Sequence, residues 1–131
     1  MGKMDEKQYR ILIVDDDPAY AKMIKAWIKD IYRVDVVTAG AQAITFLGRL
    51  PGDKKVDMIL LDYEMPVMNG PQVFKLLKEE PVTKDIPVIF LTGAGNEEAL
   101  SLIKSLEPKG YISKTSTRDE LLEYLGERLE G

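Results

Sequence analysis

Five short apolar runs divide the chain, and each is followed by a stretch in which apolar residues recur every three or four positions. The run from Arg10 to Val14 (R-I-L-I-V) lacks polar alternation, the pattern of a strand covered on both faces. Asp17-Pro18 behind it reads as an N-cap followed by proline at the first helical position. Met23, Ile24, Trp27, Ile28 and Ile31 then follow at helical spacing and predict one apolar stripe. Val34 to Val37 reads as a second strand. Ala41 to Leu50 reads as a helix with Ile44 and Leu47 inward, stopped by Pro51-Gly52.

The third strand is predicted over Val56 to Leu61 and runs straight into Asp62. Tyr63 to Gly70 carries Pro66, Asn69 and Gly70 and reads as loop, after which Val73, Phe74 and Leu77 mark a helix. Pro87 to Leu91 is the fourth strand. Asn96 is positioned to cap a helix carrying Ala99, Leu102, Ile103 and Leu106. Gly110 to Ser113 is a brief fifth strand. Thr117-x-x-Glu120 has the capping-box spacing before a last helix with Leu121, Leu122, Leu125 and Leu129 on its apolar face. Strands alternating with helices of roughly 10 to 15 residues predict an α/β fold, a doubly wound five-stranded parallel sheet with five helices on its two faces.

Composition narrows the chemistry. The chain has 131 residues, with no cysteine and no histidine. Thiol nucleophiles, Cys- or His-ligated metals and Ser-His-Asp triads are thereby excluded, and any metal has oxygen ligands. The formal net charge of -4, without a basic cluster interleaved with aromatics, argues against direct nucleic-acid binding. Residues 1–7 read as a polar tail before one domain over 8–129. The start has no apolar signal region, and no run is long enough to span a membrane. The expected location is cytoplasmic.

In doubly wound sheets, ligands bind beyond the C-terminal strand ends. There the sequence puts Asp15, Asp16 and Asp17 after the first run, Asp62 and Glu64 after the third, Thr92 after the fourth and Lys114 after the fifth. Converging carboxylates repel unless a cation sits among them, and Mg²⁺ suits a few carboxylates with waters and phosphate oxygens. Asp62 is expected to be fixed through its backbone while its side chain faces solvent. A carboxylate so placed can accept a phosphoryl group as an acyl phosphate. Mg²⁺ and Lys114 would neutralise the transferring group, and Thr92 would donate a hydrogen bond to it.

These segments resemble the receiver domains of two-component response regulators. V-D-D-D-P is similar to the family's acidic pair, placed on Asp15 and Asp16. L-L-D-Y-E-M-P-V-M-N-G resembles the phosphoacceptor segment, with Asp62 as acceptor. L-T-G resembles the Thr/Ser step at Thr92, and Y-I-S-K the segment ending in Lys114. The resemblance covers roughly residues 8 to 129. It implies a flavodoxin-like strand order 2-1-3-4-5 and Mg²⁺ as cofactor. The implied ligands are Asp16, Asp62 and the Glu64 backbone carbonyl, with Asp15 acting through water. Gly93 would contribute a backbone contact to the phosphoryl group, and Thr92 and Tyr111 would switch. The implied partners are a sensor histidine kinase or phosphotransfer protein and a downstream target or fused output domain. A homodimer through the fourth helix, fifth strand and last helix is a further partner of this kind. The implied role is a phosphoacceptor signalling domain rather than an enzyme.

Two positions depart from the family pattern. Thr115 follows Lys114 where proline in a cis peptide is usual. Because a cis bond to a non-proline residue costs about 3 kcal/mol, Lys114–Thr115 is expected to be trans. Gly93 follows Thr92 where alanine is usual. Two other readings stand beside the receiver: a scaffold of the same shape that works without phosphorylation, and a Mg²⁺-dependent phosphatase with Glu64 as its second acid.

Overall fold

The computed structural model describes residues 8–130 apart from Asp53 and Ala94. The predicted tail over 1–7 lies outside the described residues. In chain order the elements are β1 (Arg10–Val14), α1 (Pro18–Ile28), β2 (Arg33–Val37), α2 (Gly40–Arg49), β3 (Met58–Asp62), α3 (Gly70–Glu79), β4 (Val88–Thr92), α4 (Glu97–Leu106), β5 (Gly110–Ser113) and α5 (Arg118–Glu130). The five strands form one parallel sheet in the order β2-β1-β3-β4-β5.

Strand alternation sorts the core into two layers. Leu12, Val14, Ile59, Leu61, Val88 and Phe90 face α2, α3 and α4, where Ala43, Leu47, Val73, Phe74, Leu77 and Ile103 cover them. Ile11, Ile13, Met58, Leu60, Ile89 and Leu91 face α1 and α5, where Ala21, Ile24, Ile28, Leu121 and Leu125 cover them. Each fully buried Leu, Ile or Phe contributes roughly 1.5–3 kcal/mol relative to exposure, so the central strand ends are held rigidly.

Side-chain caps fix the starts of α1, α3, α4 and α5, while Ala39 before α2 supplies none. Asp17 caps α1 and Asn96 caps α4, as predicted. Thr117 and Glu120 form the predicted capping box: the Thr117 N–H donates to Glu120 Oε1 at 2.8 Å, and the Glu120 N–H to Thr117 Oγ1 at 3.1 Å. A second box, Asn69 with Gln72, opens α3.

The predicted stripe of α1 is corrected at two positions. Met23 and Ile31 are 39% and 47% exposed. Ala21, Ile24 and Ile28, three and four residues apart, already fill the face against the sheet, which turns Met23 outward. Ile31 lies beyond the end of α1. Leu102 is likewise exposed, while Ala99 and Ile103 carry the inner face of α4.

Candidate active site

The chain leaves β1 toward β2 on one side and reaches β3 on the other, so the crevice lies at the carboxyl ends of β1 and β3. The Asp15 N–H extends the ladder by donating to the Val37 carbonyl at 3.1 Å, and Asp15 is wholly buried. Its Oδ1 accepts the Asp17 N–H at 2.9 Å. Asp17 Oδ1 in turn accepts the N–H groups of Ala19 and Tyr20, which is the helix cap and leaves Asp17 out of the crevice chemistry. Asp16 is exposed.

Asp62 is the last residue of β3 and pairs in register with Leu91. The expectation that its side chain faces solvent is corrected: Asp62 is only 3% exposed. The reason is what gathers around it. Lys114 Nζ lies 3.2 Å from Asp62 Oδ1 and 2.8 Å from Asp15 Oδ2. The Glu64 N–H donates to Asp62 Oδ1 at 3.3 Å. Asp62 Oδ2 is buried with no hydrogen-bond donor among the described residues.

That orphaned oxygen is the observation that tests the metal. Among the described residues, Asp15, Asp16 and Asp62 each offer a carboxylate oxygen within 4.8 Å of the other two. Asp15 Oδ2 and Asp62 Oδ2 are both buried. Among the described residues Asp15 Oδ2 has only its ion pair with Lys114 Nζ at 2.8 Å, and Asp62 Oδ2 has neither ion pair nor hydrogen bond. The donor set is all oxygen, and it fits a hard divalent cation.

Electrostatics agree. Burial pushes the Asp62 carboxyl up to about 7; the Asp15 charge adds to this and the Lys114 charge opposes it. Burial lowers the Lys114 ammonium, but the hydrogen bond it donates to Asp15 and the charges of Asp62 and Asp15 outweigh this and hold the group above its usual value. A folded-state carboxyl raised above its unfolded value binds its proton more tightly in the native protein. Without metal, the contribution of Asp62 to stability is therefore fully present below about pH 4 and is lost as pH rises to about 7. Asp62→Asn removes that slope. It is expected to stabilise the metal-free protein at pH 8 by about 2 kcal/mol, with little effect at pH 4, in urea denaturation with EDTA.

Thr92 ends β4, is buried, and its hydroxyl makes only a long 3.4 Å contact to the Gly93 carbonyl. Its carbonyl accepts the Lys114 N–H at 2.9 Å, which ties the start of the following loop to the sheet. No peptide bond among the described residues is cis, so Lys114–Thr115 is trans as expected. Side-chain hydroxyls shape the turn instead. Ser113 Oγ lies 2.7 Å from Thr115 Oγ1 and accepts the Thr115 N–H at 3.1 Å, and the Ser116 N–H donates to the Ser113 carbonyl at 3.0 Å.

Gly93 is exposed at the crevice mouth, and a Cβ there would meet nothing within 4 Å. Tyr111 is half-buried against the α4 side of the core, and its N–H donates to the Tyr124 hydroxyl at 2.9 Å. Tyr111 lies away from the crevice, in a cleft with Lys104, Tyr124 and Arg128. Two contributions go beyond the sequence reading. Gly70, read there only as a loop residue and the end of the acceptor motif, packs its backbone against the Asp62 carbonyl, and the Tyr20 ring lies under Lys114 Nζ, 4.9 Å from the ring centroid. A glycine eight residues beyond a strand-end Asp was the available signal for the first; long-range packing left none for the second.

The response regulator receiver domain matches residues 11–126. The chain belongs to that family. Its function is that of a receiver domain of two-component response regulators. It is 37% identical over 114 residues to a probable cyclic di-GMP phosphodiesterase of Vibrio cholerae, covering 87% of this chain and 25% of that protein. It is 30% identical over 129 residues to the DNA-binding response regulator MtrA of Mycolicibacterium smegmatis, covering 96% of this chain and 53% of that protein. The receiver thus spans between a quarter and about half of these relatives. Among solved structures it resembles the receiver domain of the sensor histidine kinase PA1611 from Pseudomonas aeruginosa, which has a magnesium ion in its active-site cleft. The TM-score there is 0.83 at 25% identity, covering 95% of this chain and all of that one.

Proposed function

We propose that this receiver accepts a phosphoryl group on Asp62 in a Mg²⁺-dependent reaction. The observation that carries the reading is Asp62 Oδ2, buried without a donor in an all-oxygen crevice that also holds an ammonium. A phosphohistidine of a sensor kinase or phosphotransfer protein is the donor. One carboxylate oxygen of Asp62 forms the new O–P bond, the N–P bond breaks, and the imidazole leaves and takes a proton. Asp16, Asp62 and the Glu64 carbonyl, with Asp15 acting through water, would hold Mg²⁺, which when bound would supply positive charge to the phosphoryl oxygens. Lys114 supplies charge from the other side, the Thr92 hydroxyl donates to one oxygen, and the backbone near Gly93 and Glu64 completes the cradle.

Phosphorylation turns Thr92 inward and Tyr111 toward the core, which reshapes the face of α4, β5 and α5. The chain serves as a signalling module in the cytoplasm, with one domain over 8–129. It acts through a downstream protein or fused output domain, or as a homodimer through that face, and its only chemistry is on itself. No helix among the described residues is long and apolar enough to cross a membrane. Beryllofluoride, which mimics the phosphoryl group, tests the reading. With Mg²⁺ it is expected to shift backbone resonances at Thr92 and along α4, β5 and α5 in the wild type and not in Asp62→Ala. Shifts confined to residues 62–64 would remove the switching face from the account.

A further inference from the structure

Lys114 carries the one fixed cation among the described residues of the crevice proposed above, on a long flexible stem. The structure places it at the closing point of a ring of contacts. The Asp17 N–H donates to Asp15 Oδ1 at 2.9 Å, and the Tyr20 N–H donates to Asp17 Oδ1 at 3.2 Å. The Tyr20 ring faces Lys114 Nζ, 4.9 Å from its centroid, and Lys114 Nζ reaches Asp15 Oδ2 at 2.8 Å. Two features restrain Tyr20. Its backbone N–H is held by the Asp17 cap, and its side chain is partly buried against the core layer beneath α1 and α5.

We infer that Tyr20 is a positioning residue for Lys114: its ring face holds the ammonium over the crevice, on the side where the lysine would otherwise swing out to water. The attraction of an ammonium for the negative face of an aromatic ring is the physical basis. Asp15 alone does not define the position, because a carboxylate attracts the ammonium from many directions; a ring face on one side and a carboxylate on the other do. During phosphoryl transfer Lys114 has to exchange part of its contact with Asp15 for a phosphoryl oxygen. The ring supports the ammonium through that exchange without competing as an anion. The inference rests on the phosphoacceptor reading of this crevice.

The test measures phosphorylation of the full chain by acetyl phosphate and Mg²⁺ in five proteins: wild type, Tyr20→Leu, Tyr20→Phe, Lys114→Met and the double variant Tyr20→Leu with Lys114→Met. Tyr20→Leu is expected to slow phosphorylation about five-fold, the size of a partly desolvated cation–π contact. Tyr20→Phe, which keeps the ring, restores the wild-type rate. In the Lys114→Met background Tyr20→Leu has no further effect, since the two substitutions remove one shared interaction. A loss in Tyr20→Phe equal to that in Tyr20→Leu, or a full additional loss in the Lys114→Met background, would overturn the inference. A second readout needs neither variant nor metal: nuclear Overhauser contacts between the Lys114 ε-methylene and the Tyr20 ring protons are expected in the wild type, and their absence would also overturn it. If the wild type itself gains no phosphoryl group, the phosphoacceptor reading fails instead, whatever Tyr20 does.

Discussion

Lys114→Met lowers the rate of phosphorylation by acetyl phosphate by about 10²-fold, and in the same protein Mg²⁺ binds more tightly than in the wild type. The two effects separate because one ammonium does two jobs. Lys114 Nζ sits 2.8 Å from Asp15 Oδ2 and 3.2 Å from Asp62 Oδ1, and only 24% of its side chain is exposed. In transfer it is the only fixed cation among the described residues of the crevice, and losing one such preorganised charge typically costs 10²–10³ in rate. Before transfer it competes with a metal for the same carboxylate oxygens, so its removal leaves both acids to the metal. The metal-free variant is destabilised at neutral pH, because Asp15 and Asp62 are then buried without a counter-charge, by about 3 kcal/mol. Isothermal titration with Mg²⁺ and a phosphorylation time course check the two halves. Weaker Mg²⁺ binding together with the slow rate would mean that Lys114 holds the crevice together rather than serving the transfer.

Gly70→Ala has the second large effect, and it acts through the backbone. A Cβ at Gly70 would meet the Asp62 carbonyl oxygen, the Tyr63 Cα at 2.9 Å and the Phe90 ring at 3.1 Å. None of these can yield cheaply. Asp62 is locked into the sheet beside Leu91, the Tyr63 N–H is bonded to the Leu91 carbonyl at 2.9 Å, and Phe90 is fully buried against Phe74 at a centroid distance of 5.6 Å. The start of α3 has to move or the end of β3 has to bend, at a cost of about 3 kcal/mol in urea denaturation. A shift of Asp62 by even part of an ångström also slows phosphorylation, at least ten-fold. Gly93→Ala is the control: its Cβ meets nothing within 4 Å, so stability is expected within about 0.5 kcal/mol of wild type.

The sequence made the strands and their order along the chain legible because a fully covered strand has no alternation to blur it. It also brought Asp15, Asp16, Asp62, Thr92 and Lys114 to one edge, since each stands at the end of an apolar run and a doubly wound sheet aligns those ends. What it did not convey was side-chain direction. Asp62 was expected to face solvent because it leaves a buried strand, yet Lys114 and the Glu64 N–H enclose it. Met23 and Ile31 were placed on the inner stripe of α1 because their spacing allows it, yet Ala21, Ile24 and Ile28 fill that face first. Tyr20 looks like any helix residue until α1 and the loop after β5 are brought together. The departure at Thr115 was visible, but its structural answer, the Ser113–Thr115 hydroxyl pair, depends on a turn geometry that residue identities alone do not fix.

The central claim is that Asp62 takes up a phosphoryl group with the help of a divalent cation. Intact mass after incubation with acetyl phosphate and Mg²⁺ tests it most directly, with Asp62→Asn and EDTA as controls. The account predicts a gain of about 80 Da in the wild type, absent in Asp62→Asn and absent with EDTA. The same gain in Asp62→Asn, or a gain that persists in EDTA, would contradict it.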